Sequence, residues 1–343
     1  MLTISIPTYN RANELRVLLA EIYRQASELP NGALGVVVSD NASTDNTQEM
    51  VDAMRQKFAG RSIDLKYSRN EKNVGFSPNV ISSVESAAGD YVLIMGDDDS
   101  FEPGALSYLF EQISEHPEAD VFFLKSIEYD CELLHRVSES MVESGEVRVY
   151  GDGVTYIEAA RGFPPALVSG YVVRKSAWLA SGAADFAYSM CVHMLAVSRL
   201  LLSHVAAVEI CRPCIKYRGG QTNSTWSRDE LYPFRFYLDS LMAVKLMPSD
   251  ADRHALKILR RLSMRTIAFY LLRQKVTGHP FDSRQFHDYY RRAHGGFDFY
   301  SLAVAVIRMS PAFVLRIVFG RWIRMVNQRI GFCWKGESKN ENP

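Results

Sequence analysis

Cysteine is scarce. Five residues (Cys131, Cys191, Cys211, Cys214 and Cys333) are spread over 343 positions, an odd number without the spacing of a disulfide framework, and they fit a reducing compartment. The one close pair, Cys211 and Cys214, encloses Arg212-Pro213 and is followed by no second pair. Flanked by Val208, Ile210 and Ile215, it reads as two structural residues in a strand rather than a zinc or redox motif. Net charge is also missing: Lys plus Arg and Asp plus Glu both total 39, so nothing in the global balance favours nucleic acid as a partner. There is no internal repeat, no low-complexity tract and no stretch of ~20 unbroken apolar residues of the kind that crosses a bilayer. The nearest approach, residues 301–334, is interrupted by Arg308, Pro311 and Arg316. The opening Leu2-Thr3-Ile4-Ser5-Ile6 lacks the basic-then-apolar order of an export signal. Disordered, fibrous and membrane-spanning classes are set aside, and a chain that is 47% hydrophobic and 23% charged is expected to bury one large core or two smaller ones.

The even charge balance conceals an asymmetry. Residues 251–335 carry sixteen basic side chains against four acidic ones (Asp252, Asp282, Asp288, Asp298), so an acidic body precedes a basic tail. In the body, β-rich segments at 2–7, 34–39, 63–68 and 91–95 alternate with helical patterns at 13–28, 47–58 and 77–88. Leu15, Leu18, Leu19 and Ile22 show the helical spacing clearly. This alternation predicts an α/β fold, Rossmann-like, with a mostly parallel central sheet and right-handed crossovers. Further strand-like runs fall at 121–129, 167–174 and 205–217, with a helix at 189–202. Beyond Trp226, helical patterns rich in Arg and aromatics take over at 232–245, 253–274 and 284–293, which gives expected domains of 1–225, 226–300 and 301–335. Polar clusters lie where the early strands end, at 8–11, 40–45 and 96–100, and in such sheets the ligand crevice lies outside the carboxyl ends of the strands.

Gly96-Asp97-Asp98-Asp99 is the sharpest of these clusters. Three consecutive carboxylates after an apolar strand repel one another unless they are solvated or bound to something positive. A divalent cation of the oxygen-preferring kind, Mn²⁺ or Mg²⁺, answers that need and commonly shares its site with substrate phosphates. There it would stabilise a diphosphate leaving group. A solvated acidic turn helped by Ser100 is the plainer reading. In the run from Asp40 to Thr47, Asp45 or Thr47 can cap the following helix, and Asp40 at the mouth of the sheet can accept hydrogen bonds from a nucleobase. In Asn70-Glu71-Lys72-Asn73-Val74-Gly75-Phe76, Gly75 permits a positive φ or a close ligand approach, or serves only an ordinary turn.

Taken in order, four motifs resemble family 2 of the inverting glycosyltransferases, which have the GT-A fold. They are Ser5-Ile6-Pro7-Thr8-Tyr9-Asn10-Arg11, Val38-Ser39-Asp40-Asn41-Ala42-Ser43-Thr44-Asp45, Asn73-Val74-Gly75, and Gly89-Asp90-Tyr91 leading to Asp97-Asp98-Asp99. The resemblance covers residues 1–225, and within the family it is greatest to bacterial O-antigen and capsule sugar transferases, abequosyltransferases among them. It implies a nucleotide pocket lined by Pro7, Tyr9 and Arg11, with Asp40 at the base and Asn73, Gly75 and Asn79 flanking the nucleotide and donor sugar. In the family's D-x-D motif the first carboxylate lies near the ribose and the last binds the metal. That places Asp97, Asp98 and Asp99 in the nucleotide-sugar site, with Asp99 and Asp97 as the metal ligands.

Inversion by single displacement needs a group that takes the proton of the acceptor hydroxyl. In the family this is usually an Asp with an Arg several residues on. Counting back from Arg199, the matching position is His193, whose imidazole titrates near neutrality; Asp185 is the other candidate. A hydrogen-bonded histidine on an apolar helix is the plainer reading of His193. The segment Gly170-Tyr171-Val172-Val173-Arg174-Lys175 resembles the one that precedes the base and is expected to face the acceptor. Arg218 and the Gly219–Ser224 stretch after it are similar to a loop that closes over the diphosphate, with Arg218 paired to phosphate.

On an ideal wheel from Pro311 onward, Arg316, Arg321, Arg324, Asn327 and Gln328 fall in one arc, while Phe313, Leu315, Ile317, Phe319, Ile323 and Val326 lie mostly elsewhere. Such a helix suits the headgroup region of an anionic leaflet, so residues 301–335 are expected to meet a membrane surface. The implied activity is metal-dependent transfer of a sugar from a nucleotide-diphosphate donor (UDP, dTDP, CDP or GDP) to a lipid-linked glycan, as in lipopolysaccharide or capsule biosynthesis. The implied location is peripheral, on the inner face of the bacterial cytoplasmic membrane. No nucleic-acid partner is expected, and a homo-oligomer is left open. Two alternatives stand beside it: a polyprenyl-phosphate glycosyltransferase, which needs no general base, and a non-catalytic nucleotide-sugar-binding protein.

Overall fold

The computed structural model describes residues 1–137, 145–219, 234–247, 249–277, 283–293 and 299–329. It divides into two compact units, Met1–Ser224 with Leu246–Leu259, and Thr225–Lys245 with Arg260–Pro343. The first unit opens with β1 (Leu2–Thr8), α1 (Ala12–Gln25), β2 (Leu34–Asp40), α2 (Thr47–Ala59), β3 (Asp64–Arg69), α3 (Phe76–Glu85) and β4 (Tyr91–Ile94). It continues with β5 (Ser100–Phe101), α4 (Ala105–Glu115), β6 (Val121–Tyr129), β7 (Val147–Tyr150) and α5 (Gly153–Ala160). It closes with β8 (Tyr171–Arg174), α6 (Lys175–Ala180), α7 (Val192–Leu202) and β9 (Ala207–Arg218).

Strands β1 to β4 form a parallel block in which every residue of β1 and β2 is buried, as expected where helices cover both faces of a sheet. Ile4, Ile6, Val36, Val38 and Leu93 pack on one core with Leu15, Leu18, Leu19 and Ile22 of α1 and with Met50, Val51, Met54 and Phe58 of α2. One carboxylate starts both of those helices: Asp45 accepts the Thr47 N–H through Oδ1 and the Ala12 N–H through Oδ2, each at 3.1 Å. Beyond β4 the sheet becomes mixed. β8 is antiparallel to β4 and to β6, while β9 runs parallel to β6, giving the order β3-β2-β1-β4-β8-β6-β9-β5 with β7 also paired to β9.

The expected α/β fold with a mostly parallel sheet holds, and two local expectations need correction. Residues 168–170 form a 3₁₀ turn, and only 171–174 are strand. The segment from Gly170 to Lys175 was expected to face an acceptor; it supplies β8, an interior strand whose Tyr171, Val172 and Val173 are fully buried. The short elements β5, β7, α5 and α6 carry too little periodicity to stand out in the sequence, whereas α4, with Ala105, Leu106, Leu109 and Gln112 buried, has a helical period. Cys211 and Cys214 are buried free thiols that bracket a bulge. The register slips between Leu124, Lys125 and Ser126 of β6, where Pro213 cannot donate to the ladder. Cys333, residues 220–233 with the expected boundary near 226, and residues 330–335 of the expected membrane segment lie outside the described residues.

The second unit contains α8 (Phe234–Ala243), most of α9 (Arg253–Thr277), α10 (Ser283–Ala293), α11 (Phe299–Met309) and α12 (Ala312–Arg329). Leu238, Leu241, Met264, Ile267, Leu271, Phe286 and Val304 form its main core, and Leu272, Val276, Leu315 and Ile323 a smaller one. The helical, basic character expected of this region is what the fold shows.

At Gly89 the start of β1 leaves no room for a side chain: an added Cβ would lie 2.6 Å from the Met1 carbonyl oxygen and 2.8 Å from Thr3 Oγ1. Gly145 has open space around it. Gly89→Ala is therefore expected to lower stability by about 1–3 kcal/mol, and Gly145→Ala to stay within about 0.5 kcal/mol of wild type, both read by thermal denaturation.

Candidate active site

The site is built from the carboxyl ends of the first strands. Thr8, Asp40 and Arg69 end β1, β2 and β3 and lie side by side in register. The acidic triple follows β4 directly, and the Met95 N–H bonds to the Ser5 carbonyl, which ties that turn to β1. Asp97 accepts from Thr8 Oγ1 at 2.7 Å and from Arg11 Nη1 at 3.0 Å. The same Arg11 nitrogen pairs with Asp98. Asp99 accepts from Ser169 Oγ at 2.6 Å and from the Arg218 N–H at 3.0 Å. Ser169 in turn receives the Gly96 N–H at 2.8 Å.

Asp97 and Asp99 are buried, and Asp98 is partly open. Burial, with the neighbouring Asp98 adding to it, pushes Asp97 up to about 6 against the pull of Arg11, and Asp99 up to about 7. Burial alone would lower Arg11, but the attraction of Asp97 and Asp98 outweighs it and raises the guanidinium pKa. The turn is thus short of positive charge even with Arg11 in place.

After β2 the chain enters a network of amides. Asn41 Nδ2 donates to Asn73 Oδ1 at 2.9 Å and to the Gly75 carbonyl at 3.1 Å, while its Oδ1 accepts the Val74 N–H at 2.9 Å. Gly75, at φ 91°, occupies a backbone region that favours glycine and turns the chain into α3. Asn79 lies inside this network, joined to Ser39 by two hydrogen bonds. Asp40 is also fully buried: it accepts the Ser43 N–H at 2.9 Å and the Tyr67 hydroxyl at 2.6 Å, with Arg69 Nε at 3.5 Å. Ala42, at φ 64°, carries the strain of this tight loop. Tyr9, Asn73, Val74, Gly75 and Phe76 form the exposed rim, whereas Pro7 is buried in β1.

The two base candidates are placed apart. His193 is fully buried in the first turn of α7, its Nε2 2.8 Å from the Ala166 carbonyl oxygen and its ring edge-on to Tyr171 and Phe76. Burial pushes it down to about 4, so the ring is neutral at pH 7. Through Ala166 it anchors the turn that carries Ser169 onto Asp99. Asp185 is exposed and ion-paired with Arg199 at 2.8 Å. Arg199 also binds the Ser181 and Leu246 carbonyls and lies over the Phe186 ring. Arg218 directs Nε to the Asp98 carbonyl at 2.7 Å and Nη1 to the Cys131 carbonyl, so its guanidinium is held against backbone. Thr8, Asn41 and Ser169 belong to the site without having been singled out. Thr8 and Asn41 lie within recognisable motifs, but Ser169 carries no sequence signal.

Among the described residues no three His, Cys, Asp or Glu side chains form a closed metal cage. Two buried carboxylates with raised pKa values still fit a divalent cation of the type that takes one or two protein oxygens and completes its shell with water and phosphate.

Residues 3–158 match the family model for glycosyl transferase family 2. Over 134 residues the chain is 36% identical to the abequosyltransferase RfbV of Salmonella typhimurium, covering 39% of this chain and 38% of that one. Over 115 residues it is 31% identical to a Campylobacter jejuni GalNAc(5)-diNAcBac-PP-undecaprenol beta-1,3-glucosyltransferase, covering 33% and 35% of the two chains. The matched segment thus spans little more than a third of these curated relatives. A crystal structure of TarS from Staphylococcus aureus shares the fold at a TM-score of 0.63 and 17% identity, covering 97% of this chain and 93% of that one. A Pyrobaculum calidifontis mannosyltransferase solved with GDP-Man and Mn²⁺ shares it at a TM-score of 0.52 and 15% identity, covering 94% of this chain and 87% of that one.

Because His193 is near 4 when folded and 6.5 in its ordinary state, the unfolded chain takes up a proton that the folded chain refuses. Its contribution is constant above pH 6.5 and is lost as pH falls toward 4, by about 2 kcal/mol at pH 5. Asp97 and Asp99 act in the opposite sense, because their raised values let the folded chain take up protons first. The comparison of wild type with His193→Gln isolates the histidine. The wild type is expected to lose about 2 kcal/mol more than the variant between pH 8 and pH 5, measured by urea unfolding at each pH.

Proposed function

We propose that this chain is a metal-dependent, inverting glycosyltransferase. It moves a sugar from a nucleotide-diphosphate donor to a hydroxyl of a lipid-linked bacterial surface glycan such as O-antigen or capsule. The observation that carries the reading is the Asp97-Asp98-Asp99 turn at the carboxyl end of the parallel block, with two buried carboxylates of raised pKa, on the same edge of the sheet as the loop that begins at Asn41. The likeness to the Salmonella abequosyltransferase and to the Campylobacter glucosyltransferase that acts on an undecaprenol-linked glycan supports the lipid-linked acceptor.

In this reading Tyr9 and the 73–76 rim line the nucleotide, and Asp40 stands behind them near the base. Asp97 and Asp99 would hold Mn²⁺ or Mg²⁺, which when bound neutralises charge developing on the departing diphosphate. Thr8, Ser169 and the Arg218 N–H orient the two carboxylates, and each hydrogen bond to a charged group contributes about 1.5–3 kcal/mol to that arrangement. Arg11, already paired to Asp97 and Asp98, brings a fixed positive charge to the same place.

A second reading is favoured by the two base candidates. His193 is sealed with Nε2 committed to Ala166, and Asp185 is held by Arg199. A polyprenyl-phosphate acceptor presents an oxygen that needs no deprotonation, and it would leave both residues in structural roles. The two readings share the donor site and differ only in the acceptor.

Two measurements test these readings. A panel of UDP-, dTDP-, GDP- and CDP-sugars, each with Mn²⁺ and with EDTA, is expected to give a metal-dependent rise in melting temperature for one nucleotide. The rise corresponds to about 2.7 kcal/mol at a hundred times Kd. Asp99→Asn is expected to abolish the shift; an unchanged shift would remove Asp99 from the metal. For the acceptor, His193→Gln and Asp185→Asn are assayed in turn with a lipid-linked glycan and with polyprenyl phosphate. A fall in kcat of about a hundredfold or more on the glycan with either variant supports a general base. Turnover on polyprenyl phosphate that neither substitution slows supports the second reading.

A further inference from the structure

Helix α12 does not have the single apolar side that its sequence wheel indicates. On one side Leu315 and Ile323, with Phe319, pack on Leu272, Val276 and Phe269 of α9. On the other side Phe313, Val314, Ile317 and Val318 are open to solvent, with Ile317 80% and Phe313 65% exposed. α11 adds Leu302, Val306 and Met309 at helical spacing, Met309 being 77% exposed. These residues form a contiguous run of large apolar side chains that nothing among the described residues covers, on a scale that marks an interaction surface.

The run follows a built bend. The two helices meet at 118° around Ser310-Pro311. Lys275 fixes the end of α11 by donating to the carbonyls of Ile307 at 2.8 Å, Arg308 at 2.5 Å and Ser310 at 3.1 Å. Arg316 fixes the end of α9 by donating from Nε to the Val276 carbonyl at 2.9 Å. Among the described residues no single helix is long and apolar enough to cross a membrane.

The charges around the patch identify its occupant. Residues 299–329 contain five arginines (Arg308, Arg316, Arg321, Arg324, Arg329) and no acidic residue. Arg308 and Arg321 are exposed next to the apolar run, and Trp322 is 43% exposed at its margin. A second copy of this chain would bring like charges together, which costs energy. An anionic bilayer attracts each surface arginine by about 1 kcal/mol and accepts the apolar side chains below its headgroups. From this combination we infer that the α11–α12 face docks on an anionic lipid surface, with Met309, Phe313 and Ile317 entering the acyl boundary and Arg308 and Arg321 at the headgroups.

The test uses the full chain and vesicles of phosphatidylcholine, alone or mixed with phosphatidylglycerol, with no sugar nucleotide present. Its failure therefore leaves the transferase reading untouched. Sedimentation with the mixed vesicles, weakened by salt, is expected. Arg308→Gln with Arg321→Gln should weaken it about thirtyfold, and Phe313→Glu with Ile317→Glu by more than that. All four positions are exposed, and unchanged melting temperatures confirm that the variants fold. Independently of these variants, brominated lipid should quench fluorescence that a Trp322→Phe variant lacks. Absence of vesicle binding, or binding indifferent to Phe313→Glu with Ile317→Glu, would overturn the inference. A concentration-dependent dimer dissolved by Ile317→Glu, without vesicle binding, would assign the face to a second copy.

Discussion

Three carboxylates in one buried turn repel each other, and the first unit is organised around that repulsion. Every oxygen of Asp97 and Asp99 receives a donor from a different part of the chain: Thr8 and Arg11 after β1, the turn before β8, and the end of β9. Those donors are far apart in sequence, so the turn reaches its geometry only when the whole sheet has closed. Burial, with Asp98 adding to it, leaves both acids raised, and a cation beside them would relieve that cost.

The amide network depends on a different economy of groups. Asn41 bonds to Asn73, Asn70 and backbone, and Asn79 bonds to Ser39 and Asn70, which makes the rim from Asn73 to Phe76 a shaped edge without fixed charge. The buried His193 belongs to the support of this edge, since its ring stands behind Phe76 and its Nε2 holds the turn that carries Ser169.

The sequence made much of this arrangement readable and left other parts hidden, for identifiable reasons. β1 alternates Leu2, Ile4 and Ile6 with Thr3 and Ser5, β2 and β4 are short apolar runs, α1 has an unambiguous period, and the polar clusters fall at strand ends, so the parallel block and the position of the acidic turn could be read directly. Short elements such as β5 and α6 have no room for a period, and the 3₁₀ turn at 168–170 is set by Ser169 reaching Asp99, a contact across 70 positions. Burial is equally invisible in a motif: Asp40 and Asn79 occur where the family pattern puts ligand-facing residues, yet Tyr67 and Ser39 occupy them from within. In α12 a wheel sorts polar from apolar positions but cannot show that α9 covers only one of two apolar sides.

The shared carboxylate at Asp45 has a consequence for motion. Helices normally fray from their ends independently, each releasing its own first N–H groups. Here the first N–H of α1 and that of α2 depend on two oxygens of one side chain, so a rotation of Asp45 that exposes one start also exposes the other. The loops that end β1 and β2 are thereby joined into one opening unit whose amide exchange would proceed in concert.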